Sequence, residues 1–577
     1  MRPYECHSER NPFDSLRSLR VNSAQSRNLW TLTIRDVSTP LDMTKSLLED
    51  RRTLWVITAL IVFLFAIGNL PWQLDDYDQA KQAFTSFEMI KEGHWFYQQT
   101  PHERVATKPP LVGWISAGLF GITRSWEVAW RLPSFLAAIA LAILLFRVAS
   151  SAYGSIAGLL ALGAFGLNLL SPRLATLVRT DVPLALVIFL IGLLVWRKIE
   201  TQNEWKPRDR IRLFVLLTIA MLIKGPIVYA FLVPGILLFE LWRRRHASRH
   251  SEVAVEAGQH SRSQMSASVW SGWWPWVASL AVFLLWVSGG ILFQPGFFNE
   301  VVMREFLARF GETIHRSQPL YFYLPHLLHK FAPWSILLIA VAIFDLASRR
   351  WRIGAAFREM SPDAVWLLCW VLGGLIVMSL IPSKRVDRIF PVIPPLCLLL
   401  AAQIGSRWSC SHGSGVPTTV DSDLISHPRS PGYGEVGRPM ATENCPHIYR
   451  WTAGTLLLAI LFTGGYITWK VITGYRDHRD ALAVFGREVR REAETHHWRY
   501  EIVSSKDEGL LLYLQKMHYI EPDRAVAEWN AENLGALVAS TEKARSLMPQ
   551  LRGATFSQLK LSERTKERGT GYVLITR

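Results

Sequence analysis

Residues 54–89 read LWVITALIVFLFAIGNLPWQLDDYDQAKQAFTSFEM. The first half is an apolar run about as long as a bilayer core is thick. The second half opens with three aspartates in four positions, Asp75, Asp76 and Asp78, and continues as a polar segment with helix-forming composition. A chain that leaves an apolar span directly into carboxylates is organised around a membrane boundary.

Working outward, the same alternation recurs. Half of the 577 residues are hydrophobic, with 24 Trp and 28 Phe, which excludes disorder. The apolar residues fall in blocks of about 15–22, the length that crosses a bilayer core. Candidate spans are 53–71, 127–148, 155–171, 182–198, 211–223, 226–242, 273–294, 333–347, 364–381, 389–405 and 452–472. The reading is a polytopic α-helical membrane protein of about eleven transmembrane helices.

The net charge of +16 sits mostly between these blocks. With the N-terminus inside, the Arg-rich loops 196–212, 243–272, 348–362 and 406–450 all fall inside, as the positive-inside rule requires. The basic balance therefore reports topology, and no nucleic-acid partner is expected. The domain expectation is a cytoplasmic tail over 1–50 and a transmembrane domain over 51–473. That domain has a first outer loop at 72–126 and cytoplasmic linkers at 243–272 and 406–450. The tail is either disordered or precedes a true start at Met43. Residues 474–577 change character: YEIVSS, GALVAS, ATFSQLKLS and GYVLITR read as strands. EGLLLYLQKM and TEKARSLMPQL read as helices, giving a small extracytoplasmic α/β domain that serves as a lid or docking platform. Cys6, Cys369, Cys397, Cys410 and Cys445 form no disulfide framework and no CxxC metal spacing.

Ionisable residues are costly inside a bilayer and usually functional. Here the spans nearly lack them, and charges gather at the outer mouths. Asp78 follows the first span and Lys108 precedes PPLVGW. Arg173, Arg179 and Asp181 share one short turn, and Lys224 sits in IKGP. Arg304 and Arg309 lie in VMREFLARF, and Lys384, Arg385, Asp387 and Arg388 in SLIPSKRVDRIF. Lys and Arg on the outer side run against the positive-inside rule. Either they snorkel or pair locally, or they grip an anion at the membrane face, for which a lipid-borne phosphate is the natural candidate. A carboxylate among such cations stays ionised and is placed to act on a proton.

These residues resemble a known family. DYDQAKQAFTSFEMIKEGHW, ATKPPLVGWISAGLFGI and WRLPS are similar to the first outer loop of the ArnT-like and protein O-mannosyltransferase-like membrane glycosyltransferases. RTDVPLAL, MLIKGPIVYAFLVPG, FLARFGETIHRSQPLYFYLPHLLHKFAPWSILL and SLIPSKRVDRIFPVIPPLCLLLA extend the resemblance over roughly 53–405. It implies the GT-C fold, a polyprenyl-phosphate sugar donor, a lipid, glycan or protein acceptor, and an inverting displacement at the extracytoplasmic face of the cell membrane. Asp78 matches the family's loop-one Asp, which takes the acceptor proton or orients its nucleophile, and Asp181 matches the second outer Asp, a catalytic residue that supports acceptor or donor geometry. Lys108, Arg309, and Lys384 or Arg385 match positions that hold the donor phosphate, with Arg179 beside them. Gln79 stands where the family usually has Glu. Members also associate a metal with a Glu before the Lys and a His upstream of the Arg; here those are Thr107 and Arg304, so no metal or other cofactor is expected. His326 and His329 read as a packed pair. The rival reading is a lipid or lipid-linked sugar flippase, which calls for midplane charges or paired broken repeats that the sequence does not display.

Overall fold

A computed structural model describes residues 50–74, 77–100, 104–256, 269–309, 318–352, 360–409, 446–505, 507–561 and 571–577, together with 354 and 357. The expected N-terminal tail, Met43, Asp75, Asp76, Cys6, Cys410, Cys445 and most of the two linkers lie outside them. The chain divides into two compact units, one taking residues up to 57 and 417–458, the other 58–416 and 459–577. In the first, the described residues are helical from 51 to 57 and from 446 to 458. The charged cavity and the C-terminal α/β fold described below lie in the second.

The helices are α1 (Arg51–Ile67), α2 (Tyr77–Lys91), α3 (Leu111–Thr123), α4 (Trp126–Tyr153), α5 (Ser155–Gly166), α6 (Ser171–Ala175), α7 (Asp181–Thr201), α8 (Pro207–Lys224), α9 (Ile227–Glu256) and α10 (Trp274–Phe293). A π-helix, Phe298–Phe306, precedes α11 (Tyr323–Lys330), α12 (Trp334–Ser348), α13 (Pro362–Leu380), α14 (Ile393–Ser409) and α15 (Pro446–Arg476). Among the described residues, six segments are long and apolar enough to cross a membrane, or seven when the bent pair Leu320–Lys330 and Trp334–Ser348 counts as one. Eleven were expected. The difference has local causes: α1 has 17 residues and α5 has 12, while α8 opens on Arg208, Asp209, Arg210 and Arg212. The bent pair turns by 106° across a break that holds Pro333, whose missing N–H and fixed φ end the first helix.

Close helix packing rests on small residues. A Cβ added at Gly373 of α13 would come within 2.5 Å of the Gly235 backbone on α9, so these two helices cross where neither carries a side chain.

The C-terminal part carries α16 (Ala481–Thr495), β1 (Tyr500–Ile502), α17 (Glu508–Tyr513), α18 (Pro522–Asn530), β2 (Ala536–Ser540), α19 (Thr541–Leu547), β3 (Thr555–Leu561) and β4 (Tyr572–Thr576). The strands coincide with the four segments read from sequence. The sheet order is β1-β2-β4-β3, with β1 parallel to β2 and the other pairs antiparallel. Strand side chains alternate between faces. Ala536, Val538, Tyr572 and Leu574 share a core with α16, α17 and, from the loop-one helix, Phe84 and Phe87. Leu537, Ala539 and Ile575 pack on Trp529 and Leu547. Both faces are therefore covered, and one of them is covered partly by α2. Leu74 N–H donates to the Tyr513 hydroxyl at 2.7 Å, fixing the chain four residues before Asp78.

Candidate active site

Helix α2 begins at the exit of the first apolar run and places Asp78 in its first turn, where the helix dipole favours a negative charge. Lys81, three residues on, shares that face. Gln79 points away: it is buried, and its Oε1 accepts from Val178 N–H at 3.3 Å. The residue that departs from the family pattern thus ties α2 to the turn before α7.

That turn brings Arg179 and Asp181. Asp181 is the first residue of α7 and pairs with Lys224 at the end of α8. Arg179 reaches Asp387 of the 3-10 segment Val386–Val392 at 2.5 Å, while its backbone carbonyl accepts from Ser134 Oγ at 3.0 Å. Arg385, just before that segment, pairs with Asp78. The π-helix supplies Glu300 and Arg304, 2.9 Å apart.

These residues line one cavity of about 290 Å³ with Tyr77, Lys81, Arg104, Thr107, Lys108, Glu305 and Arg388. Eight Lys and Arg face five Asp and Glu, an excess that selects an anion. Burial pushes the Asp78 carboxyl up, but Lys108, Arg385 and Arg179 outweigh it and hold the group at about 2. Asp78 is therefore a carboxylate at any physiological pH. Lys81 is pulled down to about 8, first by burial and then by the neighbouring Lys108.

Of the residues singled out from sequence, Asp78, Asp181, Lys108, Arg179 and Arg385 meet in this cavity, as do Lys224, Arg304, Asp387 and Arg388. Lys384 is not in its lining: its ammonium donates to the Gln318 carbonyl at 3.0 Å. Arg309 closes a 3-10 turn after the π-helix, and its side chain lies outside the described residues. Arg173 is not in the lining; the Asn69 amide donates to its carbonyl. His326 packs on the Phe322 ring, centroids 4.4 Å apart. Lys81, Arg104, Glu300, Glu305 and Tyr77 were missed. The signal for Lys81 was available in its spacing of three from Asp78, and that for Tyr77 in its spacing of four from Lys81.

The two positions that the family associates with a metal do not fit one. Thr107 Oγ1 accepts from Lys81 Nζ at 3.4 Å, and Arg304 brings a further cation. Elsewhere, Glu88, Glu92 and His94 hold ligand atoms within 4.8 Å of one another. Glu88 is engaged by His94 at 2.9 Å and Gln99 N–H at 2.6 Å, and Glu92 by His518 at 2.6 Å.

Helices long and apolar enough to cross a membrane, a charged cavity and an α/β fold packed on the first loop define a helical membrane protein with one built polar site. Three comparisons make it more particular. Residues 107–257 match the family model of dolichyl-phosphate-mannose-protein mannosyltransferase. The chain is 24% identical over 371 residues to an undecaprenyl phosphate-alpha-4-amino-4-deoxy-L-arabinose arabinosyl transferase from Shewanella sediminis, covering 62% of this chain and 61% of that protein. The protein of the same description from Serratia proteamaculans is 26% identical over 361 residues, covering 60% and 58%. This chain thus spans about three fifths of the length of the curated relatives it matches. The crystal structure of ArnT from Cupriavidus metallidurans bound to undecaprenyl phosphate superposes with a TM-score of 0.59 at 15% identity, covering 90% of this chain and 97% of that one. The fold is that of ArnT, and the resemblance to the ArnT-like, protein-mannosyltransferase-like GT-C family read from sequence is borne out.

Proposed function

We propose that this chain is an integral-membrane glycosyltransferase. It moves a sugar from a polyprenyl-phosphate-linked donor to a lipid, glycan or protein hydroxyl at the extracytoplasmic face of the cell membrane. The observation that carries the reading is the cavity in which Asp78 stands among Lys108, Arg179 and Arg385. In this reading α1, α5, α8 and α9 complete about eleven spans. The Arg-rich loops lie inside, and the cavity and the C-terminal α/β fold lie outside.

The chemistry follows from the charges. The acceptor oxygen attacks the anomeric carbon as the bond from that carbon to the phosphate oxygen breaks. The polyprenyl phosphate leaves with the electron pair, and the configuration inverts. Negative charge builds on the departing phosphate, so Lys108, Arg385 and Arg388 stabilise the transition state more than the ground state. A carboxylate held at about 2 is a weak base at neutral pH. Asp78 therefore orients the acceptor hydroxyl through a hydrogen bond, and takes its proton only as the donor phosphate offsets the cations that depress it. Asp181 and Lys224, paired and buried, shape the wall behind it. Arg309 is assigned to the phosphate on the resemblance. Lys384, turned to Gln318, is assigned to holding the turn.

The test is purified protein in nanodiscs with undecaprenyl-phosphate sugars, aminoarabinose first because the relatives' descriptions name it, then hexoses. Release of undecaprenyl phosphate that depends on acceptor and on Asp78 is the expected result. Equal release by wild type and Asp78→Asn, with every sugar, would reject the reading.

A further inference from the structure

Glu508 is the first residue of α17, in the C-terminal α/β part, and is 3% exposed. Neither of its carboxylate oxygens accepts a hydrogen bond among the described residues. A buried carboxylate without a hydrogen-bond partner is costly, and such groups persist where they serve something else. Its surroundings show what that is. Helix α17 packs on α2, and a Cβ on the neighbouring Gly509 would lie 3.0 Å from the Leu74 carbonyl, so the helix cannot move off this segment without opening the core. Through that contact Glu508 faces Lys81 and Arg104, which attract it, and Asp78, which disfavours its charge, while Glu508 itself disfavours ionisation of the Tyr77 hydroxyl. Lys81 in turn faces Lys108, Glu508, Asp78 and Glu300. Lys81, Arg104, Tyr77 and Asp78 all line the charged cavity, whereas Glu508 stands behind them.

We infer that Glu508 is a positioning residue contributed by the C-terminal fold: its carboxylate secures Lys81 as a further cation for the donor phosphate. The inference rests on the reading of the cavity as a phosphate site. It gives the C-terminal fold a role in the chemistry, beyond that of a cover. Without Glu508, only Asp78 and Glu300 would offset the burial of Lys81 and its repulsion from Lys108, and Lys81 would hold its proton less tightly. With Glu508 ionised, Lys81 keeps it to higher pH.

The geometry makes the effect depend on pH in a defined way. Burial pushes Glu508 up to about 7, with Lys81 and Arg104 opposing, and Lys81 sits at about 8. Below about pH 7 Glu508 is protonated, and Lys81 is charged with or without it. Between 7 and 8 the carboxylate forms and supports Lys81 where its charge would otherwise be lost. Removing the carboxylate therefore matters at pH 8 and not at pH 6. A residue needed only for packing would matter at both.

The measurement is the dissociation constant of undecaprenyl phosphate for the whole protein in detergent at pH 6 and pH 8. It is made for wild type, Glu508→Gln, Lys81→Met and the double variant. Glu508→Gln is expected to bind like wild type at pH 6 and about fivefold more weakly at pH 8, a change of about 1 kcal/mol. Lys81→Met is expected to weaken binding at both, and adding Glu508→Gln to it is expected to change nothing further. A pH-independent loss in Glu508→Gln, or a loss that persists on the Lys81→Met background, would overturn the inference. A second readout needs no ligand. The acylation rate of Lys81 by acetic anhydride, followed by mass spectrometry, rises at pH 8 and not at pH 6 when Glu508 is replaced. An unchanged rate refutes the inference. An acylation shift on replacing Glu508, in a protein whose wild type binds no undecaprenyl phosphate, refutes the phosphate reading instead.

Discussion

The cavity has a floor and a mouth, and both are built from ion pairs. At the floor, Arg179 with Asp387 and Lys224 with Asp181 bury all four side chains to 13% exposure or less. At the mouth, Asp78 and Arg385 remain 31% and 38% exposed. The same chemical pairing has opposite consequences in the two places. A buried pair has exchanged water for its partner, and losing one member strands a charge in low dielectric. A half-exposed pair keeps water on both members and is worth little to the fold. The floor pairs therefore tie separate segments together, and under the proposed function the mouth pair is the one a phosphate would open.

Substitutions can break this division. Asp78→Asn is expected to lower turnover by about three orders of magnitude, about 4 kcal/mol, with unchanged membrane insertion and melting temperature. A matching loss of thermal stability would place Asp78 with the floor. Arg179→Ala should do the reverse. It leaves Asp387 buried and unpaired, costing about 3 kcal/mol of stability, visible as a lowered melting temperature in detergent. Arg179→Ala with wild-type stability would show that the floor pair is dispensable. Lys108→Met is expected to act between these extremes. It should raise the donor KM by about thirtyfold, about 2 kcal/mol, with a smaller change in kcat and none in melting temperature. A change confined to kcat would move Lys108 from donor binding to the reacting bond.

How much of this the sequence could disclose follows the same line. Asp78, Lys108, Arg179 and Asp181 were legible because each stands at the end of an apolar block, where a charge is conspicuous. The partners Lys224 and Asp387 were noted as charges but not as partners, since 43 and 208 residues separate them from Asp181 and Arg179 and only the helix packing joins them. Lys384 and Arg385 are adjacent in sequence yet point to different places, one to the Gln318 carbonyl and one to Asp78. The backbone at Arg385 is extended, and neighbouring side chains on extended backbone point to opposite sides. Arg104 sits among ordinary polar loop residues and Glu300 within the short helix Phe298–Phe306, and neither gave a signal. The strands of the C-terminal fold were read from their alternation. The charged α16 and the contact of α17 with α2 were not, because an amphipathic helix shows which face is apolar and not what covers it.

The smallest expected effect is on the stability supplied by the mouth pair, and its pH dependence has a definite sign. Asp78 is held at about 2 in the folded protein, below its ordinary value of 3.8. A depressed carboxylate contributes stability that is present above its unfolded value and lost as pH falls through the folded one. The window therefore runs from about pH 4 down to about pH 2, outside any working range. Arg385→Gln is accordingly expected to lower stability by less than about 1 kcal/mol, by the same amount at every pH from 5 to 8, and by still less in high salt, because both partners are exposed to screening ions. The buried Arg179–Asp387 pair should be nearly indifferent to salt. If Arg385→Gln cost as much as Arg179→Ala, and did so regardless of salt, the mouth would be structurally equivalent to the floor. A phosphate would then have no pair to open.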